Sequence, residues 1–285
     1  MKTNRFKKYL GGIPISTWMV LFVILPLIIV VQYSFYYKTG PATFDKDIFT
    51  FANYAHFFTN SIYLQVFIKT VLFALCISMI SLLMGYPLAY LVARKLRRFR
   101  NQLFLLIMVP LWMSYLVQII AWRTILGKVG VINTVLMSIG IIDEPIRWLI
   151  YSPFAVIITL VHVTIPFVFI PIFNALEKIP NNLIAAASDL GANGFRQFKE
   201  VIFPLSMPGV IVGFTMAFVI SLGDYIIPKQ LGGTSMVMFG NLIADQFGTA
   251  YNWPFGSALG FILFIVAITV LTLSARLGKS EGFVE

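Results

Sequence analysis

Charge is scarce in this sequence. Asp, Glu, Lys and Arg make up 11% of its 285 residues, against about 25% in a soluble domain. A chain so poor in polar surface cannot cover a globule in water, and its mean hydropathy of +0.89 agrees. The apolar excess runs along the whole length, so lipid is the expected solvent and an expected contact. Acidic residues are the scarcest: 11 stand against 21 Lys and Arg, leaving a net charge of +10. A nucleic-acid binder would gather those cations on one soluble face. Here they fall in short gaps between apolar runs, so membrane topology accounts for them and no nucleic-acid partner is expected. Cysteine occurs once, as Cys76, which excludes an internal disulfide and a Cys-based zinc site. Histidine occurs twice, as His56 and His162. No metal centre is expected, and His162, inside an apolar stretch, reads as structural or pore-lining. No G-x-x-x-x-G-K-[ST] run is present, so the chain carries no nucleotide-binding loop of that type.

What the sequence has instead is long uncharged runs. A helix needs about 20 mostly apolar residues to cross the hydrocarbon core. Six candidates emerge: Ile15–Tyr36, Thr70–Ala93, Leu103–Trp122, Pro153–Phe173, Leu205–Pro228 and Phe255–Ala275. The first follows a basic start (Lys2, Arg5, Lys7, Lys8) as a signal peptide would. It has no small-residue cleavage pattern and is too long for a signal core, so it is read as a retained span. One side of the membrane receives that basic start, the loop Arg94, Lys95, Arg97, Arg98, Arg100, the loop Lys178, Arg196, Lys199, and the tail Arg276, Lys279. These are fourteen of the 21 Lys and Arg. Positive residues are retained in the cytoplasm, so both termini are expected inside, as an even number of spans requires. The Arg94–Arg100 loop reads chiefly as a topology anchor near anionic lipid, with docking to an ATPase as the lesser reading. Prolines within or beside the spans (Pro26, Pro87, Pro110, Pro166, Pro171, Pro228) predict bent helices. The expectation is an all-α polytopic membrane protein, residues 1–285 forming one transmembrane domain.

The loop before the fifth span, about residues 174–204, has internal order. Leu183–Leu190 is an Ala-rich stretch of high helix propensity, and Gly191 follows it as a helix C-terminal glycine does. A second short helix is expected over Gly194–Ile202, with Pro204 starting the fifth span. Small residues suit this hairpin for close docking against a partner, or for lying as an ordinary hairpin at the membrane surface.

The loop also carries a motif. Ala185-Ala186-Ala187, three residues, Gly191, nine residues, Val201, one residue and Phe203-Pro204 keep the spacing of the cytoplasmic "EAA" motif of ABC importer permeases. Ala185 stands where that motif has Glu. Val109–Tyr115, Ala185–Gly191, Phe203–Gly209, Gly223–Pro228 and Trp253–Gly256 are similar to the spermidine/putrescine-type (PotB-like) permeases, and the resemblance covers nearly the full chain. It implies a type I ABC importer permease fold, N-in and C-in, in the cytoplasmic (inner) membrane. It implies four kinds of partner: a dimer of ATP-binding subunits, a second homologous permease forming a heterodimer, an extracytoplasmic substrate-binding protein, and lipid. No cofactor is bound by this chain; ATP and Mg are used by the ATPase. Ala185, Ala186, Ala187, Asp189, Gly191 and Pro204 are implied to couple to that ATPase. Iron, phosphonate and opine permeases are similar too, and their solutes are the alternatives to a polyamine.

A polyamine is a cation, and the residues offer groups to meet one. Asp224, near the outer part of the fifth span, is the prominent intramembrane acid. It either meets an ammonium group, pairs with Arg123 or Lys229, or caps a break before Pro228. Aromatic faces attract cations by up to about 2 kcal/mol when desolvated. Tyr225 adjoins Asp224, and on one helix Trp112, Tyr115 and Trp122 would share a face. Trp122 and Trp253 read rather as interface anchors. Outside, Asp245 and Trp253 are placed to contact a binding protein. An intramembrane enzyme would need paired catalytic groups at depth; His162 and Asp224 lie on different spans, in no catalytic motif. A secondary carrier would often show an inverted repeat, and none is visible, so neither rival class is favoured.

Overall fold

The computed structural model describes residues 17–40 and 43–280. The basic start Lys2–Lys8 lies outside them, as does the side chain of Lys279. Among the described residues, six helical stretches are long and apolar enough to cross a membrane. In chain order, α1 is Thr17–Ser34. A short antiparallel pair follows, β1 (Tyr36–Gly40) and β2 (Thr43–Phe49), with Tyr36 opposite Phe49 and Lys38 opposite Phe44. Then come α2 (Ala52–Thr59), α3 (Ser61–Lys95), α4 (Arg100–Trp112), α5 (Tyr115–Leu126) and α6 (Val131–Ser138). The second half holds α7 (Pro153–Lys178), α8 (Asn181–Asp189), α9 (Gly194–Gly223), α10 (Ile226–Leu231), α11 (Phe239–Gly248) and α12 (Trp253–Ser280).

Two compact units divide the chain, one of residues 1–64 and 242–265, the other of 65–241 and 266–285. In the first, the hairpin is tied down by aromatic rings and by the Asn53 amide. Tyr33 packs on Tyr36, Phe44 and Trp253 at 5.4, 5.1 and 6.3 Å. Asn53 Nδ2 donates to the carbonyls of Ser34 and Tyr36 at 2.9 and 3.0 Å. The hairpin is an addition to the all-helical expectation, since hydropathy locates spans and is silent on the loops between them.

In the second unit α7 carries the most buried side chains, and small residues let its neighbours approach. A Cβ on Gly209 of α9 would stand 2.5 Å from the Pro171 carbonyl oxygen, and one on Gly213 would stand 3.0 Å from that of Val168. Gly209 and Gly213 are four apart, the spacing that brings membrane helices into backbone contact. On another side, Gly85 of α3 faces Val168, and Ser81 Oγ lies 2.7 Å from Thr164 Oγ1. Lipid gives no hydrophobic reward for packing apolar faces together, so close contact and interhelical hydrogen bonds of this kind hold such a bundle.

Two prolines change the local hydrogen bonding of their helices. Pro26 and Pro204 cannot donate to the carbonyl four residues back. Beside each the helix opens into one wider turn: Leu25 N–H reaches Val20 O, and Phe203 N–H reaches Phe198 O. This corrects the loop reading. Gly194–Ile202 does not form a separate short helix ahead of Pro204, because the wide turn carries the helix through, and α9 is continuous over 30 residues. It ends at Gly223, short of the predicted Pro228.

The third span is also corrected. Leu103–Trp122 is not one helix, because the chain turns extended at Met113 (φ −82°, ψ 143°) and Ser114 (φ −58°, ψ 134°). By length and composition the spanning stretch is Tyr115–Ser138, and it too is interrupted, the backbone being extended at Gly127 (ψ 162°) and Gly130 (ψ 170°) between α5 and α6. Gln118, buried in α5, accounts for the tolerance of the break: its Nε2 donates to the carbonyls of Pro110 at 2.7 Å and Met113 at 3.4 Å. Carbonyls freed at membrane depth need such a donor.

Candidate functional site

Two places concentrate the residues singled out from the sequence. The first is a meeting of two interrupted helices. α9 stops at Gly223 and α10 starts at Ile226, leaving Asp224 and Tyr225 between them. Asp224 Oδ1 accepts the backbone N–H of Ile227 at 2.9 Å, in the first turn of α10. Its other oxygen accepts a hydrogen bond from the hydroxyl of Tyr115, the first residue of α5. The carboxylate thus caps the first turn of α10 through a backbone N–H and is held on its other side by a tyrosine side chain from α5. Asn241 braces the segment from behind, donating to the Tyr225 carbonyl at 2.7 Å. The backbone N–H of Phe239 donates to Thr70 Oγ1 of α3 at 2.8 Å.

Among the three readings of Asp224, the cap of the break is therefore present. Among the described residues no ion pair joins Asp224 to Arg123 or Lys229, and the Arg123 guanidinium contacts the Tyr151 hydroxyl at 3.4 Å. Tyr115 and Tyr225 both adjoin Asp224, and Tyr225 is 43% exposed. Trp112 does not join Tyr115 on one helix face as its spacing suggested. The break at Met113 and Ser114 puts the two on different helices, and Trp112 is 73% exposed. Trp122 is half-buried, its ring against His162 at 5.6 Å. Among the described residues no cluster of three or more metal-ligating side chains occurs.

The second place is the loop from α7 to α9. Ala185, Ala186, Ala187 and Asp189 all lie on α8, no residue of which is buried. Leu190 and Phe195 are left 88% and 76% exposed. Gly191 closes α8 with φ +82°. Its N–H donates to Ser188 O at 2.9 Å, and that of Ala192 to Ala187 O at 2.9 Å. This paired closure needs a left-handed residue, which glycine supplies without strain. Gln197 fixes the turn, donating to Ser188 Oγ at 2.9 Å and Ala192 O at 2.8 Å. Pro204 sits in α9 just past the wide turn that it causes.

The sequence reading left out what holds this loop. Arg94, in the last turn of α3, donates to the carbonyls of Leu176 and Ile179, the latter at 2.6 Å, and to Asn181 Oδ1 at 3.0 Å. Arg100 pairs with Glu177. On the far side of α8, Phe198 packs edge-on against Tyr86 and Tyr90 of α3 at 5.8 and 6.0 Å. Tyr86, Tyr90 and Arg94 recur every four residues, a spacing that puts them on one helix face and that the sequence displays.

Six apolar helical stretches among the described residues and a bundle packed through small residues define a polytopic membrane protein. The chain belongs to the family of binding-protein-dependent transport system inner membrane components, whose model matches residues 85–278. It is a transport component rather than an enzyme. The spermidine/putrescine transport system permease protein PotB of Haemophilus influenzae is 35% identical over 276 residues, covering 97% of this chain and 95% of that protein. PotB of Escherichia coli K12 is 35% identical over 94% of this chain and 96% of its own. The inner membrane ABC transporter permease protein YdcU of Escherichia coli K12 is 30% identical over 82% of this chain and 77% of its own. Among solved structures, a bacterial ABC transporter importing the acidic polysaccharide alginate has a TM-score of 0.70 at 18% identity, over 97% of this chain and 96% of the matched chain. The inward-facing MetNI methionine ABC transporter has a TM-score of 0.57 at 16% identity, over 78% of this chain and 99% of the matched chain. The fold is that of ABC importer permeases.

Proposed function

We propose that this chain is the permease subunit of an ATP-binding-cassette importer for polyamines, spermidine or putrescine. The observation that carries the reading is nearly full-length similarity, at 35% identity, to two proteins named as spermidine/putrescine permeases. The exposed α8 with its Leu190 and Phe195 neighbours suits docking into a groove of a separate ATP-binding subunit, which would supply ATP and Mg. A pair of such subunits, a second homologous permease and an extracytoplasmic binding protein complete the assembly. Both termini and the α7–α9 loop face the ATPase in the cytoplasmic (inner) membrane.

On this reading, ATP binding and hydrolysis move the ATPase pair, and α8 passes the motion into α7 and α9. Residues Ala185–Ala187 and Asp189 meet the partner, Gly191 sets the angle of the turn, and Pro204 maintains the wide turn that precedes it. The solute path includes Asp224, Tyr225, Tyr115 and Trp112. A carboxylate next to aromatic rings is suited to a protonated amine. The Tyr115 hydroxyl and the Ile227 amide fix the position of the Asp224 carboxyl group.

Gly191→Trp tests the coupling role. Uptake should be lost while membrane insertion and ATP hydrolysis persist. Normal uptake in that variant would remove the coupling role from this loop.

A further inference from the structure

The basic end of α3 was expected to be a topology anchor, for which any cation would serve. Its geometry asks for more. The Arg94 guanidinium reaches three oxygens that lie around one corner: the carbonyls of Leu176 and Ile179, at the C-terminal end of α7, and Asn181 Oδ1, at the first residue of α8. Carbonyls at a helix C-terminus have no partner within the helix, and a cation there also meets the negative end of the helix dipole. Two guanidinium nitrogens divide the three acceptors, Nη2 taking both carbonyls and Nη1 the Asn181 amide oxygen; a lysine has three N–H donors too, but all on one nitrogen at the end of a flexible stem, without the fixed spread of the planar fork.

The same face of α3 holds the other end of the loop. Tyr86 and Tyr90 pack on Phe198, and Tyr86 Oη lies 2.9 Å from Ser206 Oγ of α9. Both the start and the finish of the α8 hairpin are therefore fastened to the last turns of a single spanning helix. That helix runs on through the unit to Thr70, whose hydroxyl accepts from the amide of Phe239 beside the Asp224 segment. From Arg94 to Thr70 it extends about 36 Å, at 1.5 Å per residue.

We infer that Arg94 is a positioning residue for coupling. It clamps the start of α8 to α3, so that displacement of α8 by the ATPase is delivered to α3 as well as to α7 and α9. The inference rests on the reading of α8 as the ATPase-docking helix.

Arg94→Lys separates the two roles, because it keeps the charge and loses the fork. The reading is the stimulation of ATP hydrolysis by the binding protein, measured in proteoliposomes with the complete importer. In Arg94→Lys that stimulation should fall by about threefold or more, the scale on which residues along a coupling route act. Membrane insertion and the amount of assembled complex should match the unaltered protein. Arg98→Lys, at an exposed position in the same basic loop, should leave stimulation unchanged. If Arg94→Lys fails to assemble, Asn181→Ala takes its place; it removes one acceptor from an exposed position and should still lower stimulation. Full stimulation in the variant that assembles would overturn the inference. Gly191→Trp run in parallel keeps the two claims apart. If it uncouples and Arg94→Lys does not, the clamp alone is wrong. If neither uncouples, the docking role of α8 is wrong as well.

Discussion

At the scale of single residues, Asp224 does two things that substitution can separate. Its Oδ1 caps α10 through the Ile227 amide, and its charge is available to a cation. Asn keeps one oxygen to accept that amide, presents an NH2 donor to the Tyr115 hydroxyl oxygen, and carries no charge. Asp224→Asn should therefore leave thermal stability in detergent within about 0.5 kcal/mol, as a retained cap allows, and lower polyamine uptake about tenfold or more, as loss of a desolvated charge contact does. Asp224→Ala removes the cap too and should cost about 1 kcal/mol of stability in addition. Unchanged uptake in the Asn variant would leave Asp224 as a cap only. The sequence already displayed Asp224 as an isolated acid, and the cap was among its readings. The partnership with Tyr115 was not visible, because it joins residues 109 positions apart across two helix breaks. Arg94 was visible only as one cation in a basic cluster; nothing in the spacing of charges says which arginine meets backbone carbonyls.

At the scale of elements, hydropathy located five of the six spanning helices well and misplaced the third. The reason is that hydropathy measures composition, and residues 103–122 are apolar on both sides of a chain break. The stop at Met113–Ser114 depends on Gln118 reaching back to Pro110 and Met113. Gln118→Leu removes that donor from a buried site. It should destabilise the protein by about 1–3 kcal/mol, the cost of a buried carbonyl left unpaired, read as a lower Tm in detergent; an unchanged Tm would mean that the break does not need its donor. Gly191 was legible for a definite reason, since a glycine directly after an Ala-rich helix is where a left-handed closure is expected. At φ +82° with no atom within 4 Å of a Cβ position, the penalty for a side chain is backbone strain alone. Gly191→Asn should accordingly be milder than Gly191→Val, by about 1 kcal/mol or more in the stability of the turn, read as the fraction of uptake retained. Gly209 is the opposite case: its φ is ordinary and its difficulty is space. Gly209→Leu should push α9 off Pro171 and cost about 1–3 kcal/mol from overpacking, again as a lower Tm. Gly209's role in packing could not be assigned from sequence, since the neighbour that fills the space is on another helix.

At the scale of the whole molecule, family, fold and orientation stand on different supports. Membership in the binding-protein-dependent transport family rests on similarity along the chain, and the permease fold on the spatial match to ABC importers. The proposed orientation, N-in and C-in, rests on the grouping of cations in alternate loops. Cys76 is the single thiol to be replaced before a labelling test. In a Cys76→Ser background, Phe195→Cys and Trp148→Cys occupy exposed positions in different loops. A membrane-impermeant maleimide should label the first only from the cytoplasmic side and the second only from outside. Labelling of both from one side would break the N-in, C-in arrangement. The solute is the claim on which the rest of the functional account depends. The direct measurement is accumulation of labelled spermidine by proteoliposomes holding this chain with its ATP-binding subunits and second permease, with binding protein outside and ATP inside. The account predicts uptake that requires ATP and the binding protein and is competed by unlabelled putrescine. ATP hydrolysis stimulated by the binding protein with no spermidine accumulated would contradict it, leaving an importer for some other solute.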